Sequence, residues 1–493
     1  PGCGRAKSPQ PLYTIWSPIH LSGVAESAPS DDSWAREVSR TGGRCFPRSV
    51  ETARPLETNA AHLSANEGRA PDSHRATWSE RSYNPPMDSP IRRWLPVVMW
   101  VLVIYTTIPF VRVLREWYVA RWDPASIGWA VAAILVCAAV VALVFLMRQT
   151  QPASRHDVVW IVVSAAIFVA WTFSLRRSPE ESVHFLEYGV LAVLIHRALR
   201  PSIRSALVFV AGALIGSLVG TIDEIIQWIT PSRYWDWRDL VLNGGAGALV
   251  QVILWRVVRP SVRSWDPRSL RIPLRLVAAQ LVLLVLCLSN TPARVARYAP
   301  HLPSCSHLMS SRNPMAEYGH RHTVPGLGSF RSRLTLEELQ GQDESRAGEV
   351  ADAIDAYRHR YGEFLDTWPV SEDPFTYEAR VHLHARDRNL AKAREQDWSG
   401  AAALEQLTVA WFENRLMEEL FSNTLERSSY RWNPQPRRRF ENAHDPDHPF
   451  RSAVGSHLIT LASERTIRFT LLVVAAVMIV TDLRLGRRHG RPS

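Results

Sequence analysis

The 493-residue chain predicts an all-α polytopic membrane helix bundle of about eight spans with an extracytoplasmic α+β insert. Three observations carry that prediction. Hydrophobic residues make up only 46% of the chain, yet they concentrate in runs near the ~20 residues that cross a bilayer as a helix, separated by short arginine-bearing loops. The net charge of +10 gathers beside those runs, which fits membrane orientation better than nucleic-acid binding. A polar stretch over 290–465 then interrupts the series before a last apolar run.

Along the chain, residues 1–86 hold no Met and are rich in Pro, Ser and mixed charges without a sustained period, a composition that cannot bury enough apolar surface to order itself. They lack the basic start and apolar core of a signal peptide. The expectation is that translation begins at Met87 and that the preceding residues are an upstream extension. Apolar runs follow at about 94–111, 127–147, 158–175, 183–199, 206–228, 240–258 and 273–289, with an eighth near 467–483. The organisation expected is a membrane domain over 87–260, a seventh span over 261–289, an external linker and domain over 290–465, and a last span with a basic tail over 466–493.

Arginines orient the bundle. With the start of the first run inside, sixteen arginines fall in the inner short loops and tail against seven in the outer short loops. The positive-inside rule then puts both termini in the cytoplasm and the large loop outside. Lys7 and Lys392 are the only lysines, a coding bias rather than a recognition signal. The five cysteines form no CxxC pair, so neither a zinc knuckle nor a disulfide framework is supported.

In the large loop, 290–333 reads as a linker rich in Pro, Ser, His and Arg. Leu334, Leu336, Leu339, Val350, Ile354, Tyr357 and Tyr361 recur at helical spacing. "FTYEARVHLHA" (375–385) alternates strictly and predicts a half-buried strand, and Leu404, Leu407, Trp411 and Leu420 mark another helix.

The informative residues are polar ones in apolar surroundings. His184, Glu187 and Tyr188 share one face at the start of the fourth run. "GTIDEIIQW" (220–228) places Asp223, Glu224 and Gln227 at the end of the fifth, where ionisable groups are costly in hydrocarbon and mark function. Arg233 and Arg238 follow, and Asp239, Asn243 and Gly247 lie four apart down the sixth. The loop before the fourth run and the loop between the fifth and sixth share one side by parity, so these clusters belong to one leaflet, the outer one by the arginine count. Gly244, Gly245 and Gly247 would let neighbouring helices approach. Trp235 and Trp237 read as interfacial anchors.

"HFLEYGVLAVLI" and "IDEIIQWITPSRYWDWRDLVLNGGAG" resemble the paired signature of the VanZ family: a His and a Tyr on one helix, then Asp-Glu, Gln, Pro-x-Arg, Asp and Asn with glycines. The resemblance covers roughly 95–258, and the glycine spacing in "NGGAGAL" departs from the family's. It implies a bacterial inner-membrane protein, and the family's namesake is linked to teicoplanin resistance. The large loop and the last run lie outside it.

Function follows the cluster. Arg suits bidentate binding of phosphate or carboxylate, and a His beside a carboxylate suits general-base work. The leading expectation is a non-enzymatic envelope protein binding a lipid or lipid-linked peptidoglycan precursor at the outer leaflet, with Arg233 and Arg238 engaging an anionic group and Asp239 and Asn243 supporting Arg233. A membrane enzyme using His184 or Glu224 as acid or base, and a proton-coupled transporter, remain open alternatives. A purely structural inter-helix network is the competing reading. No ordered metal motif is present and the sequence leaves any cofactor open; membrane lipids are the expected partners, with no nucleic acid. His382 with His384, the "HRH" at 320–322 and the "QPRRRF" at 435–440 read as ordinary polar surface.

Overall fold

The computed structural model describes residues 89–489 apart from 150–152, 177, 204, 232, 259–266, 303–306, 309–313, 397 and 399; the expected disordered stretch over 1–86 lies outside the described residues. Among the described residues eight helices are long and apolar enough to cross a membrane. They are α1 (Pro90–Val119), α2 (Ala125–Met147), α3 (Arg155–Ser174), α4 (Val183–Leu199, preceded by a 3-10 turn at Pro179–Ser182), α5 (Leu207–Ile229), α6 (Trp237–Val258), α7 (Arg271–Leu288) and, after the insert, α15 (Glu464–His489). Between the last two come α8 (Pro292–Tyr298), strands β1 (His320–Val324) and β2 (Gly328–Ser332), α9 (Leu336–Ala356), α10 (Tyr361–Thr367), α11 (Pro374–Glu395), α12 (Gly400–Leu420), α13 (Ser422–Arg427) and α14 (Pro434–Ala443).

Local sequence sets the helix ends. Ser89 caps α1 ahead of Pro90, whose missing N–H costs nothing in a first turn. Asp236 Oδ1 accepts from Arg238 N at 2.7 Å and so caps α6. In the bundle, α4 is enclosed by α1, α3, α5 and α6, with Phe185, Tyr188, Leu191 and Ile195 in the core. The outer helices leave Val141, Phe145, Phe110 and Phe469 exposed, as a lipid-facing surface requires. α7 and α15 pair through Asp482, which accepts from Arg271 Nε at 2.7 Å and Arg275 Nε at 2.8 Å.

Glycines act where helices meet, and not all of them as expected. A Cβ on Gly220 would stand 2.7 Å from Asn243 Cβ, and one on Gly245 would stand 2.6 Å from the Trp171 ring. Gly244 makes only an ordinary contact with Ser217, and a Cβ on Gly247 would meet nothing within 4 Å. Gly220 and Gly245, rather than the run 244–247 as a whole, set the helix spacing.

The insert is a helical domain with a two-stranded antiparallel sheet, His322 facing Phe330 in register. The linker expected over 290–333 therefore holds α8 and this hairpin. Its turn is Val324-Pro325-Gly326-Leu327, with Gly326 and Gly328 at φ +73° and +108°, where only glycine is at ease. The strand expected at 375–385 is instead the first half of α11. Asp373 caps it, accepting from Thr376 N at 3.0 Å, and Pro374 takes the first position. The alternation misled because the polar face is buried too: Glu378, His382 and Arg386 lie inside with Phe375, Ala379 and Leu383, which is a period of 3.6. His382 Nδ1 sits 2.7 Å from Glu413 Oε2, while His384 stacks on Tyr361, so the two histidines do not form a pair.

Asp343 of α9 ties the domain together. Its carboxylate accepts from Asn423 N, Thr424 N and Thr424 Oγ1 at 2.8, 2.9 and 2.7 Å, capping α13. Asp343→Ala leaves these donors buried without a partner and is expected to cost about 2 kcal/mol. Thermal denaturation of the purified chain checks this: an unchanged midpoint would show that the cap is dispensable.

Candidate functional site

The polar residues singled out by sequence converge at one end of the α4–α5–α6 core. α5 is exposed at Ile222 and Ile229 but turns Asp223, Glu224 and Gln227 inward, all within 3% of full burial. Tyr188 donates to Asp223 Oδ2 at 3.0 Å across the α4–α5 interface. Gln227 Nε2 donates to Glu224 Oε1 at 2.9 Å, and the backbone N–H of Asp236 reaches Glu224 Oε2 at 3.2 Å. Arg233 donates to Gln227 Oε1, extending the chain outward. His184 Nδ1 lies 3.2 Å from Glu187 Oε2.

Two expected contacts are not made. No hydrogen bond joins Asp239 or Asn243 to Arg233; Gln227 takes that place. Arg238 reaches back to Glu181 Oε2 at 3.4 Å. Several buried polar atoms have no hydrogen-bond partner: Asp223 Oδ1, Asp239 Oδ1, and both amide atoms of Asn243.

Electrostatically the end is acid-rich. Asp223, Asp236 and Asp239 lie close enough to Glu224 to repel it. With Glu181 and Glu187 they outnumber Arg233 and Arg238. Burial and the neighbouring Asp239 push the Asp236 carboxyl, in the loop outside the spans, up to about 6. Among the described residues no group of His, Cys, Asp and Glu has the arrangement to hold a metal.

Sequence reasoning missed four participants. Trp100 Nε1 donates to Glu187 O and Tyr105 to Val219 O, both at 2.9 Å, so α1 is pinned to the site by polar atoms hidden in an apolar run. Glu181 and Asp236 join from just outside the helices, Glu181 in the turn before α4 and Asp236 directly before α6. The fourth side is an open groove of about 400 Å³ between α1 and the α5–α6 loop, lined by Pro109, Arg112, Val113, Glu116, Thr230, Pro231 and Arg233. Arg233 belongs to both groove and buried cluster.

The insert closes the other flank. Trp237 Nε1 donates to Met315 O at 2.9 Å, and Trp228 and Trp235 pack with Val295, Ala299 and Leu308. Trp235 is buried under this cover rather than anchoring at a lipid interface.

A helical membrane protein with a buried carboxylate cluster opening on an arginine-lined groove is the class these features define. Residues 131–259 match the family model VanZ/LLP1, so the chain carries a VanZ-like domain, which spans most of α2 and α3 to α6. Comparison with curated proteins and with solved structures gave no match.

Proposed function

We propose that the VanZ-like domain binds the anionic headgroup of a membrane lipid, such as a lipid-linked peptidoglycan precursor, in the groove between α1 and the α5–α6 loop. The observation that carries this reading is the groove itself, lined by Arg112 and Arg233 beside a buried acidic network. Guanidinium groups fit phosphate oxygens bidentately. The arginine distribution favours the outer leaflet of a bacterial inner membrane, where such precursors are met by glycopeptides. Teicoplanin resistance, the phenotype of the family's namesake, would follow from sequestering or masking that precursor.

A hydrolytic role fits less well. Glu224 is fully buried and held by Gln227 and a backbone N–H, so it does not face the groove as an acid or base would. The acid excess favours a second reading, proton coupling.

The test is lipid extraction from purified native protein and from an Arg112→Ala, Arg233→Ala version, with mass spectrometry of the phospholipid and polyprenyl phosphate fractions. Two lost charge-assisted contacts, each about 1.5–3 kcal/mol, predict at least a tenfold drop in bound lipid. Equal lipid in both, or equal teicoplanin protection of a sensitive host at equal membrane levels, would remove the groove from consideration.

A further inference from the structure

We propose that the interface of α4, α5 and α6 holds a water-filled polar column that carries protons between His196 and the Asp223 cluster. The inference does not rest on lipid binding at the groove. Each helix gives one stripe at four-residue spacing: Tyr188, Ala192 and His196 on α4; Gly212, Gly216 and Gly220 on α5; Asn243, Gly247 and Gln251 on α6. At ~1.5 Å per residue, the stretch from Tyr188 to His196 covers about 12 Å of a core ~30 Å thick.

The rungs are positioned by contacts. Asn243 rests on Gly220, whose Cβ would stand 2.7 Å from Asn243 Cβ, and the Gln251 amide rests on Gly212 at 2.6 Å by the same measure. Gln251 Nε2 also donates to Ala192 O at 2.9 Å, one turn before His196. Between the two amides lie Gly216 and Gly247. Both are buried, yet a Cβ on either would meet nothing within 4 Å. The interior is open there, and side chains larger than glycine would fill it.

The atoms around that space are polar and unsatisfied. Both amide atoms of Asn243, Oε1 of Gln251, both ring nitrogens of His196 and Oδ1 of Asp223 have no hydrogen-bond partner. None of these residues is more than 5% exposed. Unmet polar groups are costly in a hydrocarbon environment, and a roomy polar cavity between them is where water is retained. Around Asp223 stand Tyr188 and His184 of α4, Asp239 of α6 and Tyr105 of α1; His196 stacks on Phe209 with Arg200 at its end of α4. A proton taken up at one ring nitrogen of His196 leaves from the other, passes along the water, and is bound at Asp223 Oδ1. One positive charge moves and no bond other than N–H or O–H changes.

Two measurements on the full chain test this. First, all native cysteines are replaced by serine and single cysteines are placed by Gly216→Cys, Gly247→Cys and, facing lipid, Val141→Cys. Thiolates form in water, so a water-soluble methanethiosulfonate should modify the first two at least about tenfold faster than the third. Second, purified protein in liposomes is given a potassium diffusion potential with valinomycin, and internal pH is read with a trapped dye. Proton entry should exceed that of protein-free liposomes and fall about tenfold in His196→Ala and in Gly216→Leu, each confirmed folded by size-exclusion elution. Unreactive cysteines at 216 and 247 would show a dry interface and overturn the proposal. So would proton entry equal to empty liposomes, or entry that neither substitution lowers.

Discussion

Gly220→Leu is expected to lower the yield of folded membrane domain at least tenfold, whereas Gly247→Ala leaves it intact. The two positions lie on facing helices in the same glycine-rich interface, and composition does not tell them apart. The difference is what a Cβ would meet. At Gly220 it would meet the Cβ of Asn243 at 2.7 Å, and Tyr188 Cε1 lies 3.4 Å away. A Cβ is fixed to the backbone, so relief requires α5 and α6 to separate. Gly245 is a milder case, because its neighbour is the far edge of the Trp171 ring, which can turn. A leucine at 220 also presses on the Tyr188 ring of α4, whose hydroxyl lies 3.0 Å from Asp223 in the native fold. Overpacking of this kind costs about 1–3 kcal/mol, and the lost packing and hydrogen bond bring the total above the ~1.4 kcal/mol that a tenfold change represents. Fluorescence-detected size exclusion of detergent extracts reads the result as the height of the monodisperse peak. A native peak for Gly220→Leu would mean that α5 and α6 are not held at this distance. A collapsed peak for Gly247→Ala would mean that the interior space beside it is filled.

The spans were legible from hydropathy alone because a bilayer imposes one requirement on length and one on composition, and every run from 94 to 289 became a helix, at nearly the expected bounds except for α1, which runs on to Val119. Helix parity then sufficed to bring His184, Tyr188, Asp223, Glu224 and Gln227 to one end of the bundle. What was lost depends on tertiary contact. Arg112 reads as a loop arginine until α1 continues to Val119 and turns it into one wall of the groove. Tyr105 and Trp100 read as apolar filling until their polar atoms find backbone carbonyls on α5 and α4. In the insert, the error at 375–385 has a single cause. Pattern reading assumes that charged residues face water, but Glu378 accepts from Ser332 and Arg333, and Arg386 donates to Asn414. Once polar residues are buried in pairs, alternation of residue type no longer reports alternation of exposure. The hairpin was missed for a related reason: only "PGLG" betrays it, and its strands are mostly His, Arg and Ser.

Arg333→Met is expected to produce the largest destabilisation in the insert. Arg333 follows β2 and is sandwiched between two buried carboxylates. It donates to Glu317 Oε2 at 2.7 Å and to Glu378 Oε1 at 3.0 Å, while its backbone N–H reaches the same Glu378 oxygen at 2.8 Å. Glu317 also meets His457 Nε2 at 2.6 Å, which joins the chain before α15 to the segment before β1. Met has similar length and no charge, so the substitution keeps most of the packing and leaves Glu317 and Glu378 buried without their shared cation. Breaking a buried pair in this way costs about 3–5 kcal/mol. Acid should then separate the two proteins. In the native chain, burial raises the Glu317 carboxyl, but the opposing pull of Arg333 and His457 wins and holds it at about 2, below its ordinary 4.5. A depressed carboxyl stabilises the fold above about pH 4.5 and loses that contribution as pH falls toward 2, by up to about 3 kcal/mol for a shift of this size. In Arg333→Met the desolvation of Glu317 is no longer opposed by the guanidinium, so its carboxyl is drawn toward the protonated form and mild acid relieves the strain. Thermal denaturation at pH 7 and pH 4 reads both effects: the native midpoint falls on acidification, while that of the variant starts lower and rises. A variant that melts with the native protein at pH 7 would show that the ion pair adds nothing net. One whose midpoint falls in parallel with the native protein would locate the acid sensitivity outside this network.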